Sequence, residues 1–420
     1  MWSYFSEARV RQLSVFWSAV IIVGLFTSTW VRVWPSIGIA GLFLTGVSYS
    51  LSQRKIAQRG YGPEFLGFLL VYLVHAVTGL LHSSLADKVL QQDLVLQLPF
   101  VLLPIAFWLL PTWKPRHQQF LWLLLLGCCL VAASGATAYY LSHNKEIEKL
   151  YLQSKVMPTE PDHIRFSLLI SIAVVAGVIL VFNKQLTLFW ERATACAVVL
   201  LFLFQHLLAV RSGILTMYGA GLVWLLWVGY HQRRWRTTFI GTALIIGLGT
   251  GCLLVFPTLQ NKIINTRTDA SQFDSVEAAN NYSMVARVYS YQAAWAIIQQ
   301  HPLLGVSKVK LADEMAQQYS YRFPAIDPKR YVLPHNQFIY NLAAYGLIGL
   351  VIFIVGYYYL LWKNLGRQNI LLGLIYLIVT ISFLAEYTLE SNIGVIVGLF
   401  FMLLAVAPTA TLAKPAGSLA

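Results

Sequence analysis

Long apolar runs recur from one end of this 420-residue chain to the other. About twenty apolar residues in a helix cross roughly 30 Å of hydrocarbon, and only helices or closed barrels satisfy their backbone there. By that length the chain holds about twelve candidate membrane helices. They cover residues 14–33, 36–52, 65–82, 97–112, 119–141, 164–183, 187–207, 211–230, 237–257, 336–362, 368–386 and 391–408. The segment 97–112 is short and carries Pro99 and Pro104. Charged residues make up 11% of the chain, against roughly 25% in soluble domains. The expected fold is an all-α polytopic membrane protein. A soluble enzyme, a disordered chain and a secreted disulfide scaffold are excluded.

The charge is less ordinary. Lys plus Arg number 30 against 17 Asp plus Glu, a balance of +13. In a soluble protein that would suggest nucleic acid. In a membrane protein it can set topology, attract anionic lipid or hold an anionic substrate. With the N-terminus inside, the inner connections hold 15 basic residues: Arg9, Arg11, Arg54, Lys55, Arg59, Lys114, Arg116, Lys184, Arg192, Arg233, Arg234, Arg236, Lys363, Arg367 and Lys414. The short outer connections hold 7: Arg32, Lys88, Lys145, Lys149, Lys155, Arg165 and Arg211. That steady bias predicts two cytoplasmic termini. The other eight, Lys262, Arg267, Arg287, Lys308, Lys310, Arg322, Lys329 and Arg330, fall in one long outer loop. Acidic residues share that side, so no nucleic-acid surface is expected. Three regions follow: residues 1–257 with helices one to nine, 258–335 as the outer loop, and 336–420 with the last three helices and a cytoplasmic tail. Arg9 and Arg11 precede an apolar run from about Val15 that is too long for a signal peptide and lacks a small-residue cleavage pattern. It reads as an uncleaved first membrane helix. Cys128, Cys129, Cys196 and Cys252 all sit in apolar runs and read as small hydrophobes.

The long loop carries helical patterning. Within Ser283–Gln300, Met284, Val288, Tyr291, Trp295 and Ile298 recur at helical spacing, and His301-Pro302 and Gly305 end the run. A second helix is expected from about Lys308 to Tyr321, with Leu311, Met315 and Gln318 on one side. The loop is thus expected to be a helical cap on the outer membrane face. Residues 142–163 read as a modest polar loop.

Ionisable groups near membrane helices are costly and need a reason. Arg165 opens the sixth helix, Arg211 lies at the seventh–eighth turn, Arg287 rides the cap helix, and His335 closes the loop before the tenth helix. The topology places all four at the outer interface. Guanidiniums present planar forks of donors that match phosphate oxygens, and an imidazole can take a proton near neutral pH. Each residue also has a plainer reading. A lone arginine at a helix end commonly snorkels to headgroups, and His335 between Pro334 and Asn336 fits a helix start. Glu386 and Glu390 could orient a base or a sugar, or simply balance the arginines. His75 and His206 read as hydrogen-bonded packing residues, and His117 and His231 lie on the cytoplasmic side. The outer loops contain no D-x-D. The chain contains no Walker A, Rossmann glycine pattern or H-E-x-x-H, so no metal or cofactor site is expected.

The segment Leu333-Pro334-His335-Asn336-Gln337-Phe338 through Tyr345-Gly346-Leu347-Ile348-Gly349 resembles the His-Asn and Gly-Leu-Ile-Gly signature of the O-antigen ligase and polymerase superfamily. Arg287 with Ala293, Trp295, Ile298, Pro302, Leu303, Leu304 and Gly305 resembles the stretch that precedes it there. Arg211-Ser212-Gly213 resembles the family's Arg-Ser-small turn, and His163-Ile164-Arg165-Phe166 its earlier arginine-bearing segment. The resemblance implies a GT-C-like, metal-independent, inverting glycosyltransferase without a cofactor. It would sit in the bacterial inner membrane with a periplasmic active site. The donor would be a glycan on undecaprenyl diphosphate. Arg211 and Arg287 would clamp the diphosphate, Arg165 would assist, and His335 would deprotonate the acceptor. Asn336, His163, Glu386 and Glu390 are possible supporting residues. The size, with one large outer loop late in the chain, leans towards a ligase that uses a lipid A–core acceptor. The alternatives are an O-antigen polymerase, a protein O-oligosaccharyltransferase, or a transporter of the lipid-linked glycan.

Overall fold

The structure is a computed structural model that describes residues 6–53, 63–152, 155–365 and 369–407. Arg54, Lys55, Arg59, Arg367, Lys414 and the expected tail from residue 408 lie outside the described residues. The described residues are all-helical, with no strand. In chain order they form α1 (Glu7–Phe26), α2 (Trp34–Gln53), α3 (Gly67–His82), α4 (Lys88–Gln97), α5 (Pro99–Leu109), α6 (Pro115–Ser142), α7 (Asn144–Leu152), α8 (His163–Phe182) and α9 (Leu188–Leu208). There follow α10 (Arg211–Gln232), α11 (Trp235–Val255), α12 (Pro257–Ala270), α13 (Ser283–Gln300), α14 (Ser307–Arg322), α15 (Gln337–Asn364), α16 (Ile370–Ala385) and α17 (Asn392–Val406).

Among the described residues, nine helical spans are long and apolar enough to cross a membrane, fewer than the expected twelve. The shortfall has local causes. α2 is long enough but carries Thr45, Ser48, Ser50, Ser52 and Gln53 in its second half, and α16 and α17 have only 16 and 15 residues. All three still pack within the bundle. The expected span 97–112 begins earlier, at Lys88, and Pro99 at the start of α5 separates it from α4. The first helix also begins earlier than expected. Ser6 caps it, so Arg9 and Arg11 lie inside its first turns, where Arg11 pairs with Glu7 and donates to the Thr112 carbonyl at 2.7 Å.

α8 is the axis of the bundle, packed against α6, α9, α10, α16 and α17 and buried along most of its length. α11 lies at the edge and exposes Phe239, Ile240, Leu244 and Ile246. Both are apolar all round. Lipid is as apolar as leucine, so composition does not tell an axial helix from a lipid-facing one.

A second core belongs to the cap. Val285, Tyr289, Ala293 and Ile297 of α13 pack with Leu311, Met315 and Tyr319 of α14 and with Tyr340, Ala344 and Tyr345 of α15. α13 has the expected bounds but not the expected buried face. Of the apolar stripe read from the sequence only Ile298 is buried, and Trp295 is 56% exposed. Small residues at Ala293, Ala294 and Ala296 allow the close approach, which turns the larger side chains outward. The segment 142–163, expected as a loop, contains α7. Ile147 and Tyr151, four residues apart, are buried, and the Tyr151 hydroxyl donates to the Leu208 carbonyl at 2.8 Å.

Cap and bundle interlock through backbone. Gly346 interrupts α15 with φ 64° and ψ −173°, a conformation open essentially only to glycine. The segment after α13 enters that break: Leu347 N donates to Pro302 O at 2.8 Å, Ile348 N to Leu303 O at 3.2 Å, and Val306 N to Ala343 O at 3.2 Å. A Cβ on Gly346 would lie 2.3 Å from the Leu303 carbonyl, and one on Gly305 would lie 2.4 Å from the Ala344 oxygen. Gly346→Ala should therefore lower the melting temperature of the detergent-purified protein markedly, since the backbone strain alone costs about 1–3 kcal/mol. Gly373→Ala, where a Cβ meets nothing within 4 Å, should leave it unchanged or raise it.

Candidate active site

The site forms where α8, α10 and α15 begin and α16 ends, beneath the cap. Asp162 caps α8, accepting from Ile164 N at 3.1 Å, and its carboxylate also takes the Arg165 guanidinium at 3.1 Å. Burial pushes the Asp162 carboxyl up, but the charges of His163 and Arg165 and the hydrogen bonds of Arg165 outweigh it and leave it below its usual value. His163 lies 3.5 Å from the same carboxylate. Arg211 is the first residue of α10, swung there by a two-residue turn with Ala209 in the left-handed region at φ 50°.

His335 immediately precedes the cap of α15. Asn336 is that cap, accepting from Phe338 N at 3.0 Å and Ile339 N at 3.1 Å while donating to Leu384 O at 3.3 Å. The main role of Asn336 is thus to start the helix and tie it to the end of α16. Glu386, at that end, bridges two of the expected residues. Its Oε1 accepts from Arg287 at 2.5 Å and its Oε2 lies 2.7 Å from His335 Nδ1. Burial raises the Glu386 carboxyl, yet its bond to His335 and the charges of His335, Arg287 and Arg165 hold it below the usual range. A carboxylate only accepts, so His335 Nδ1 carries the proton and Nε2 is left as the acceptor. The Tyr291 hydroxyl donates to the His335 carbonyl at 2.9 Å, and the Tyr387 ring stands 5.1 Å from the imidazole. Tyr291 also lines a cleft of about 700 Å³ with Gln292, Trp295, Arg322, Phe323 and Ile339.

Arg211 approaches from the far side. Its Nη2 donates to Asn265 Oδ1 at 3.3 Å and lies 4.0 Å from Asp269 Oδ2, both on α12. Lys262 of α12 joins this corner. Burial first, then repulsion by Arg211 and Arg287, brings its ammonium down to about 8. The sequence reading placed Lys262 in the loop without singling it out and missed α12. The signal was there: Lys262, Asn265 and Asp269 fall on one helical face beginning at Pro257.

Glu390 does not join the site. Its carboxylate takes the Lys308 ammonium at 2.5 Å, and the same ammonium donates to Asp93 at 2.6 Å. Asp93 in turn meets His75 Nδ1 at 2.9 Å, and His75 meets the Tyr345 hydroxyl at 2.8 Å. Gln337 closes the set, donating to Glu390 at 3.3 Å and accepting from Leu389 N at 2.9 Å. This buried network bolts α14 of the cap to α4 and to the turn that presents Glu386. Burial lowers Lys308, but Glu390 and Asp93 more than reverse it. His206 is hydrogen-bonded to Phe202 O and Tyr218. No group of three or more His, Cys, Asp or Glu that could hold a metal occurs among the described residues.

These features define a multi-pass membrane protein with a carboxylate-oriented imidazole set among guanidiniums at one end of its bundle. Residues 196–354 match the family model described as O-antigen ligase, which supports the resemblance to that superfamily. The matched stretch holds Arg211, Lys262, Arg287 and His335; Arg165 and Glu386 lie beyond it. A search of curated proteins found no match. The match points to a membrane glycosyltransferase-like enzyme in O-antigen assembly.

Two outcomes follow from the ion pairs. Lys308→Met strands two buried carboxylates, so it should destabilise the protein by roughly 3–5 kcal/mol, read as a loss of melting temperature. Glu386 titrates lower folded than unfolded, so its contribution is complete above the ordinary glutamate range of about 4.3 and fades as pH falls through the lowered folded value. The melting difference between wild type and Glu386→Gln should therefore be constant near neutrality and shrink in acid.

Proposed function

We propose that the protein transfers a glycan from undecaprenyl diphosphate to a hydroxyl of lipid A–core on the periplasmic face of the inner membrane, within a GT-C-like bundle. The observation that carries this reading is Glu386, which joins Arg287 to His335 through Nδ1 and leaves the imidazole Nε2 without a partner among the described residues. His335 Nε2 takes the proton of the acceptor hydroxyl as its oxygen attacks the anomeric carbon. The bond from that carbon to the diphosphate oxygen breaks, its electron pair leaves with the diphosphate, and the anomeric centre inverts. Glu386 stabilises the imidazolium that forms. Arg211 and Arg287, with Arg165 beside them, offset the charge that builds on the leaving group. A greasy donor tail can lie between the helices while its headgroup stays at the cap.

The transporter alternative would place charge along the path of the headgroup across the membrane. The clustering of Arg165, Arg211, Arg287 and His335 at one end of the bundle favours chemistry over passage. The test is transfer by purified protein, without ATP and with EDTA present. Lipid-linked glycan is offered with either lipid A–core or a second lipid-linked repeat. Product on lipid A–core supports the ligase; product only on the second repeat makes it a polymerase. Movement of lipid-linked glycan across vesicles with no covalent product would sink both. His335→Gln should cut transfer about 10²–10⁴-fold with insertion and melting unchanged, and full activity in that variant would remove the base.

A further inference from the structure

Lys262, Asn265 and Asp269 share one face of α12, and that face meets Arg211. Arg287 comes from α13, which packs against α12. The opposing charge is thin. Glu386 is committed to Arg287 and His335. Among the described residues the fully buried Asp269 makes no hydrogen bond through either oxygen and stands 4.0 Å from Arg211, and the buried Arg211 Nε has no acceptor. The Lys262 ammonium makes no hydrogen bond or ion pair among the described residues. Three cations from three helices thus share this corner with two carboxylates, one of which, Glu386, is already taken up by Arg287 and His335. Desolvating charge in this way is unfavourable unless an anion completes the corner.

We propose that Lys262 is a further ligand of the lipid-linked diphosphate, donating to its phosphate oxygens from α12 while Arg211 and Arg287 hold it from α10 and α13. The proposal rests on the reading of this corner as the diphosphate site and adds a residue to it. The ammonium differs from the guanidiniums in kind: it is a compact point charge with three rotatable donors. It can follow the phosphate oxygens as the leaving group gains charge, whereas the forks hold a fixed orientation.

The test uses the full-length protein in detergent, with inorganic pyrophosphate and farnesyl diphosphate as probes in calorimetry. Lys262→Gln should weaken both by about tenfold or more, and Lys262→Arg should retain most of the affinity. In the transfer assay Lys262→Gln should raise the donor KM with the acceptor KM unchanged. Its melting temperature should hold or rise, because a repelled cation has been removed. Wild-type affinity for pyrophosphate in Lys262→Gln, a lowered melting temperature, or no pyrophosphate binding by the wild type would each overturn the assignment. Failures of the two readings separate cleanly. Lys262-dependent pyrophosphate binding without glycan transfer sinks the transferase reading and leaves the ligand in place. Transfer that is indifferent to Lys262 sinks the ligand and leaves the transferase.

Discussion

The arrangement depends on one exchange of backbone hydrogen bonds. α15 is interrupted at Gly346, and residues 302–306 fill the break with their own carbonyls and amides. Unpaired backbone is expensive away from water, so a broken helix in this setting needs a partner of this kind. The partner is the chain that leaves α13, and the exchange therefore fixes α13 against the start of α15. Arg287 then stands over Glu386, and the Tyr291 hydroxyl reaches the His335 carbonyl. The Pro-Leu-Leu-Gly and Gly-Leu-Ile-Gly elements are joint surfaces; the chemistry-bearing residues lie beside them.

Two glutamates four residues apart divide the remaining work. Glu386 faces the site and sets the proton on His335. Glu390 faces the cap and binds Lys308, with Asp93 on the same ammonium. The short turn between them is also held by Gln337, two residues beyond His335. Site and cap are therefore coupled through a single turn. A disturbance at Lys308 should be felt at His335 through Glu386, without any change in the residues around the imidazole.

Part of the basic character gathers at the cap end. At the cap end Arg165, Arg211, Lys262 and Arg287 stand against Asp162, Asp269 and Glu386, with His163 and His335 beside them. Fixed cations in a site partly shielded from water act strongly on an anion and need little reorganisation when it arrives.

Sequence alone determined the all-helical membrane class and the bounds of α13, and it singled out Arg165, Arg211, Arg287 and His335 as candidates, because hydrocarbon thickness and the cost of intramembrane charge act on composition directly. It did not determine which helix lies at the axis, since α8 and α11 look alike where lipid and protein interior are equally apolar. Nor did it determine the buried face of α13, which alanine packing chose over the larger side chains. It offered Glu386 and Glu390 as equals. Only the tertiary structure parted them, because hydrogen bonds and ion pairs to Arg287 and His335 on one side, and to Lys308 on the other, join residues 51 to 99 positions apart that no local pattern links.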